Sequence, residues 1–262
     1  MDAIMNALGQ ADLSTAAWVL LLIMVIGFPI ESEISTRFTK PRIIAGKPHM
    51  RLYTYFYTAA FLWVFAFAVL AFAISGQIEW AELGFQFVAD VPTLITCAVC
   101  AVVIGFFGLQ LYKIHTDQNV RRKYREAMAT EGDAFYFLPQ TYTEYRFFSL
   151  LGVTAGITEE IIFRGFLIWA LATFMPLWGA AVFSLLIFTF MHRYQGGKGM
   201  AQVLAIGGVI TVLYVISGSL YPLIILHIAV DVLNNMLLWK VRQPEEDDPQ
   251  SQDAGGMLEV RS

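Results

Sequence analysis

Charged side chains are scarce in this sequence. Asp, Glu, Lys and Arg make up 15% of the 262 residues and hydrophobic residues 57%, whereas a soluble globular domain carries about 25% charged residues. This composition predicts an all-α, polytopic bundle of transmembrane helices, because a helix satisfies its own backbone groups in lipid. No basic run lies on an exposed face with aromatic residues, so we expect no nucleic-acid partner.

Cysteine is almost absent as well. The chain has two cysteines, Cys97 and Cys100, and both lie inside an apolar segment. A C-x-x-C spacing can indicate a redox or metal site, but such a site needs polar surroundings or a βαβ unit, which this segment lacks. We interpret both as small residues on a lipid-embedded helix, and the sequence predicts no disulfide framework.

Seven hydrophobic segments are long enough, or nearly so, to cross a hydrocarbon core that needs about 20 residues. They cover residues 14–31, 52–75, 91–113, 145–173, 176–192, 200–217 and 220–240. Outside them, Lys and Arg occur only in the first, third and fifth connections and after the last segment. The positive-inside rule therefore predicts seven spans with an external amino terminus and a cytoplasmic carboxy terminus. We expect the protein in the plasma membrane, in contact with its lipids.

Hydropathy predicts one transmembrane domain over residues 1–243. The connection from 114 to 143 is polar and charged, and we expect it to contain a short amphipathic helix on the cytoplasmic face. Residues 244–262 are acidic and poor in aromatic side chains. They predict a disordered tail.

Three ionisable residues interrupt the fourth hydrophobic segment: Glu159, Glu160 and Arg164. A charge in hydrocarbon costs several kcal/mol, so such residues normally indicate a functional site. Glu160 and Arg164 are four residues apart on one helical face and can pair. Glu159 points elsewhere and remains as the unpaired carboxylate. A low-dielectric site disfavours the charged form of a carboxyl group, which suits a general base.

Later segments contribute further polar residues. His192 ends the fifth segment, four residues after Phe188, and His227 and Asp231 share one face of the seventh. Each alone fits an interfacial residue or an interhelical hydrogen bond. Together they predict a polar site inside the bundle, because intramembrane ionisable residues usually find one another. From the ends of the segments we expect His227 nearer the outer face than Glu159, unless the sixth segment is distorted.

Three motifs in successive segments resemble those of the CAAX-protease and bacteriocin-processing (CPBP or Abi) family of intramembrane proteases. They are EEIIFR at 159–164, FTFMH at 188–192 and HIAVD at 227–231. The sequence is similar to the type II CAAX prenyl endopeptidases of this family over about 145–238. The resemblance implies an endopeptidase with a protein or peptide substrate, including lipidated proteins processed at a CAAX carboxy terminus.

The resemblance also implies roles for the site residues. Glu159 would activate a water molecule, which His192 would help to hold or polarise. His227 and Asp231 would stabilise the oxyanion, and the Glu160–Arg164 pair would orient the first motif. Peptide hydrolysis needs both an activated water and donors at the developing oxyanion.

Asp231 departs from the simplest form of this scheme. Asparagine would be the easier oxyanion donor at this position, because an ionised aspartate only accepts hydrogen bonds. Three alternatives remain open. Asp231 is protonated, or it orients His227, or the polar partner is Asn234 or Asn235.

The metal requirement is a separate question. Glu159, His192 and His227 form a plausible zinc-ligand set, since catalytic zinc sites use combinations of His and Glu. The sequence has no H-E-x-x-H motif, and we expect no tightly bound zinc.

Two other function classes also remain. One is a non-catalytic membrane immunity or scaffold protein. The other is a proton-coupled transporter, and the absence of an evident inverted repeat in the sequence argues against it.

Overall fold

The computed structural model describes residues 13–129 and 136–243, and these residues contain helices and loops but no strand. The helices are α1 (Thr15–Leu22), α2 (Phe28–Ile44), α3 (Met50–Ile74), α4 (Val91–Thr116), α5 (Gln118–Ala129), α6 (Tyr142–Glu159), α7 (Ile168–Ala172), α8 (Leu177–Met191), α9 (Gly196–Ser217) and α10 (Tyr221–Arg242). Two π-helical segments, Ile23–Gly27 and Glu160–Leu167, join α1 to α2 and α6 to α7, and a 3-10 helix, Arg193–Gln195, precedes α9. The predicted all-α class is confirmed.

Five helical stretches are long and apolar enough to cross a membrane. They are Thr15–Ile44, Met50–Ile74, Val91–Thr116, Arg193–Ser217 and Tyr221–Arg242. The other two predicted segments are also helical, but one contains the three charged residues and the other is the shorter apolar helix α8. A 15-residue helix is about 22 Å long, less than a hydrocarbon core of about 30 Å. An integral membrane protein is therefore supported, while seven crossings and their orientation stay predictions.

Helices α6 and α10 approach each other closely at two glycines. A Cβ on Gly156 would lie 2.7 Å from the backbone nitrogen of Ile228, and one on Gly152 would lie 3.1 Å from the Cβ of Asp231. The two glycines are four residues apart on one face of α6, as in the small-xxx-small pattern of packed membrane helices. This contact brings the fourth and seventh predicted segments together.

The helix ends are fixed by polar contacts that match their sequence signals. The side chain of Thr141 accepts a hydrogen bond from the backbone of Glu144 (3.2 Å) at the start of α6, as an N-cap residue does. At the opposite end of the bundle, the backbone nitrogen of Leu220 donates to the Gly84 carbonyl (2.8 Å). The loop before α4 thereby holds the start of α10.

The amphipathic helix predicted in the third connection is α5. Its Arg121 donates from Nε to the Ile114 carbonyl (3.3 Å). Arg125 donates from Nε to Val241 (3.0 Å) and from Nη2 to Gln243 (2.9 Å). Arg125 thus satisfies carbonyls that a helix end leaves free and holds α5 against the end of α10. The predicted disordered tail, residues 244–262, lies outside the described residues.

Candidate active site

The charged pair of the fourth segment is fully buried. Arg164 Nη1 lies 3.0 Å from Glu160 Oε1, and 1% or less of either side chain is exposed. Arg164 Nη2 also donates to the Gly207 carbonyl of α9 (3.3 Å), and the guanidinium lies over the Phe188 ring at 4.5 Å from its centroid. A buried charge needs such a set of partners to be tolerated. The predicted pairing is present, and it ties the π-helical segment to α8 and α9.

The helix that carries these residues changes type inside the motif. Glu159 ends α6, and the π-helical segment starts at Glu160. Ser184 of α8 donates its hydroxyl to the Phe163 carbonyl within this segment (2.8 Å). Single π-helical turns inside α-helices occur frequently at functional sites. This π-helical segment could not be predicted from the sequence, because an analysis based on a regular period of 3.6 residues assumes an uninterrupted α-helix.

His227 contacts the first motif directly. Its Nδ1 lies 2.7 Å from Glu160 Oε1. An ionised carboxylate only accepts hydrogen bonds, so Nδ1 carries the proton. Its Nε2 faces Glu159 Oε2 at 3.7 Å and Asp231 Oδ2 at 3.9 Å. One imidazole therefore connects both glutamates and the aspartate.

The expectation that His227 lies nearer the outer face than Glu159 is wrong. The far ends of the two helices meet, since Arg242 donates to the Pro139 carbonyl just before α6 (2.6 Å). At about 1.5 Å per residue, Glu159 is about 26 Å from Tyr142 and His227 about 23 Å from Arg242. The two side chains are level because α6 begins and α10 ends at the same side, and α9 is continuous.

His192 is the residue directly after the end of α8. Its Nδ1 lies 2.9 Å from the Phe188 carbonyl. The carbonyl can only accept, so Nδ1 carries the proton, and in the neutral form of the ring Nε2 is an acceptor. The Phe188 ring centroid lies 4.6 Å from that of His192 and 6.3 Å from that of His227. Phe188 thus contacts both imidazoles, and the three motifs meet around it.

The asparagines proposed as alternatives to Asp231 lie elsewhere. Asn234 is exposed, and Asn235 is buried, with its Nδ2 3.5 Å from the Phe148 carbonyl. Asp231 is the polar residue of α10 next to His227, and 35% of its side chain is exposed. Of the three alternatives, the geometry favours one that involves Asp231 itself.

Two contributors were not predicted from the sequence as parts of the site. Gly207 supplies a carbonyl to Arg164, and a Cβ there would lie 3.2 Å from the Phe188 ring and 3.4 Å from Arg164 Nη2. Tyr194 follows His192 closely, with ring centroids 6.0 Å apart, and contacts Phe137 at 5.3 Å. The sequence shows Gly207 as a glycine inside an apolar segment, but the spacing of residues could not predict that its carbonyl contacts Arg164.

The zinc-ligand set considered from the sequence does not form a cluster here. Within residues 13–129 and 136–243, no group of three or more His, Cys, Asp or Glu side chains is arranged to hold a metal ion. Among these residues the donor set therefore does not form a three-ligand site in this arrangement.

Comparison with known proteins gives one match. Residues 142–233 match the family model described as "Type II CAAX prenyl endopeptidase Rce1-like". Neither curated proteins nor solved structures gave a significant match. The matched range contains all three motifs, while α1 to α5 lie outside it. The resemblance read from the motifs is thereby confirmed: residues 142–233 are similar to the Rce1-like family, which is a family of proteases.

Proposed function

We propose that this protein is an intramembrane endopeptidase that hydrolyses a peptide bond with a water molecule activated by Glu159. The contrast between the two adjacent glutamates carries the proposal. Glu160 is fully buried and engaged by Arg164 and His227. Glu159 keeps 12% of its side chain exposed, and none of the described residues donates a hydrogen bond to its carboxylate. A general base needs such free acceptor capacity, within reach of water.

The reaction begins when Glu159 takes one proton from the water. The water oxygen then bonds to the scissile carbonyl carbon, and the carbonyl oxygen becomes an oxyanion. Collapse of this tetrahedral intermediate breaks the C–N bond, and the proton held by Glu159 passes to the leaving amine. One water is consumed, and after the new carboxylic acid passes its proton to the amine the products are a carboxylate and an ammonium group. General acid–base catalysis of this kind contributes about 10²–10⁴-fold in rate.

The histidines suit two different tasks in this scheme. With its proton on Nδ1, His192 can accept a hydrogen bond at Nε2 from the second O–H of the water and so orient the nucleophile. Glu160 holds Nδ1 of His227, which directs Nε2 towards Glu159 and Asp231. In its imidazolium form, His227 would donate from Nε2 to the oxyanion, and donors of this type are among the largest contributors to catalysis.

The family match supports a substrate that ends in a CAAX sequence. Hydrolysis between the cysteine and the next residue would release a tripeptide. We propose that this cysteine carries a prenyl group, because a lipidated substrate would reach the site from the membrane. Lipids of the surrounding bilayer would be the other contacts of the protein.

Purified protein in proteoliposomes tests the proposal. We would incubate it with a farnesylated CAAX peptide and with the same peptide lacking the lipid, in water enriched in ¹⁸O. The proposal predicts release of the carboxy-terminal tripeptide and one ¹⁸O atom in the new carboxylate, both detected by mass spectrometry. If both peptides are cleaved at the same rate, the protein does not recognise the lipid, and that part of the proposal is wrong. A membrane scaffold or immunity protein would give no cleavage of either.

A further inference from the structure

The long amino-terminal helix reaches the loop that carries His192. Ser32 and Glu33 lie on α2, and Arg193 is the residue directly after His192. Both α2 residues contact Arg193, although about 160 positions separate them from it in the chain. The Rce1-like match covers 142–233 and does not include α2. This contact therefore links the matched part of the chain to the unmatched part.

The guanidinium of Arg193 is held on two sides. Nε donates to Glu33 Oε2 at 2.8 Å, Nη2 also contacts this oxygen, and Nη1 donates to Ser32 Oγ at 3.0 Å. The Ser32 hydroxyl in turn donates to the Met191 carbonyl at 3.3 Å. These contacts hold the backbone carbonyl of Met191 and the side chain of Arg193, the two residues that flank His192. Charge-assisted hydrogen bonds of an arginine fork are both strong and directional.

His192 needs outside support because regular structure ends at this point. Helix α8 stops at Met191, and the backbone nitrogen of His192 bonds to Thr189 in the tighter 3-10 pattern (3.1 Å). After three residues of 3-10 helix the chain turns at Gly196, which has a φ of 77°. Short 3-10 segments have poorer hydrogen-bond geometry than an α-helix. The orientation of the imidazole thus depends on what holds the flanking residues.

We propose that Ser32, Glu33 and Arg193 form a clamp that positions His192 for the hydrolysis described above. The inference rests on the proposed function and extends it: α2, outside the family match, would be part of the catalytic unit. The three are positioning residues, since within the described part of the chain none of them hydrogen-bonds to Glu159 or His227. The Arg193 side chain is 16% exposed and the Glu33 side chain 42%, so salt screens this ion pair only in part.

Substitution of Glu33 tests the clamp against a matched control. Glu33→Gln removes the charge that holds Arg193. Glu33 also pairs with Arg37, whose side chain is 79% exposed. Arg37→Gln removes this second ion pair and leaves the clamp intact. With the farnesylated CAAX peptide, we expect Glu33→Gln to lower kcat by up to about 10²-fold, the effect of a misplacement of about 1 Å, with little change in KM. Arg37→Gln should keep the kcat of the wild type.

Two further measurements separate positioning from folding and from the proposed activity. The charge-exchanged double variant, Glu33→Arg with Arg193→Glu, should recover part of the lost kcat, which a general folding defect would not do. Hydrogen exchange of the amides in 191–196 should become faster in Glu33→Gln than in Arg37→Gln. If the wild type does not cleave the peptide, the substrate proposal fails, and the exchange rates still decide the clamp. Equal exchange and equal kcat in the two single variants would overturn it.

Discussion

At the scale of single residues, the two adjacent glutamates differ in nearly all of their contacts. Glu160 Oε1 accepts from both Arg164 and His227, and its charge is compensated within the protein. Glu159 has the His227 imidazole 3.7 Å away. The spacing of the sequence predicted the Glu160–Arg164 pair, because residues four apart share a helical face. The contact between His227 and Glu160 could not be predicted, because it depends on how two distant helices pack.

Asp231 gives a prediction at this scale. We expect Asp231→Asn to keep activity within a few-fold of the wild type, because an amide can donate to an oxyanion and occupies nearly the same volume. Asp231→Ala should lose roughly 10-fold or more, since it removes the polar group beside His227 Nε2. Steady-state cleavage of the CAAX peptide measures both variants. If the Asn and Ala variants lose activity equally, the aspartate is needed as an acceptor that orients His227, and the role as an oxyanion donor is wrong.

At the scale of helices, the site depends on how closely α6 and α10 pack. A Cβ on Gly156 would lie 2.6 Å from the Ile228 side chain and 2.7 Å from its backbone nitrogen. Backbone atoms inside a packed helix cannot move aside as the end of a flexible side chain can. Any residue larger than glycine must therefore push α10 away from α6, and with it His227 away from Glu159.

We accordingly expect Gly156→Ala to lower both the thermal stability and the cleavage rate. Gly105→Ala is the matched control, because Gly105 lies within α4 and an added Cβ there would meet nothing within 4 Å. Alanine is favoured over glycine in a helix by about 1 kcal/mol, so the control should be as stable as the wild type or more so. Unfolding temperatures in detergent and peptide cleavage report the two effects. Equal behaviour of the variants would show that the close packing is unimportant.

The sequence predicted these helices far better than their junctions. Each of the seven hydrophobic segments is helical, although the first and the fourth each contain a π-helical segment, because long apolar runs determine helix formation in lipid. The π-helical segment at Glu160 and the level of His227 were not predicted. Both depend on tertiary contacts, such as the Ser184 hydrogen bond to Phe163 and the meeting of Arg242 with Pro139.

At the scale of the whole molecule, the residues that hold the site in place extend beyond the part of the chain that matches the family. The motifs lie within 142–233, yet Ser32 and Glu33 of α2 hold the end of α8. The fold also has five stretches that are apolar and long enough to span a membrane. The number of crossings depends on how the short helix α8 and the charged α6 segment lie in the bilayer, which hydropathy alone does not determine.

The distribution of Lys and Arg predicts the orientation of the bundle. Single cysteines at Lys47 and Gln77, in a chain with Cys97 and Cys100 replaced by alanine, would report it. Both positions are exposed in loops. We expect a membrane-impermeant maleimide to label the cysteine at 77 on intact cells and the cysteine at 47 only after the membrane is opened, because basic loops stay cytoplasmic. The reverse labelling would contradict the predicted topology.

The most direct test of the central claim is the cleavage rate of Glu159→Gln, with Glu126→Gln as its control. Glutamine keeps the shape of the side chain and removes its basicity, whereas Glu126 is exposed and pairs only loosely with Arg122 at 3.8 Å. We predict that Glu159→Gln folds, with an unfolding temperature close to that of the wild type, and loses about 10²–10⁴-fold in kcat, while Glu126→Gln is unchanged. A Glu159→Gln variant that cleaves as fast as the wild type would contradict the assignment of Glu159 as the base.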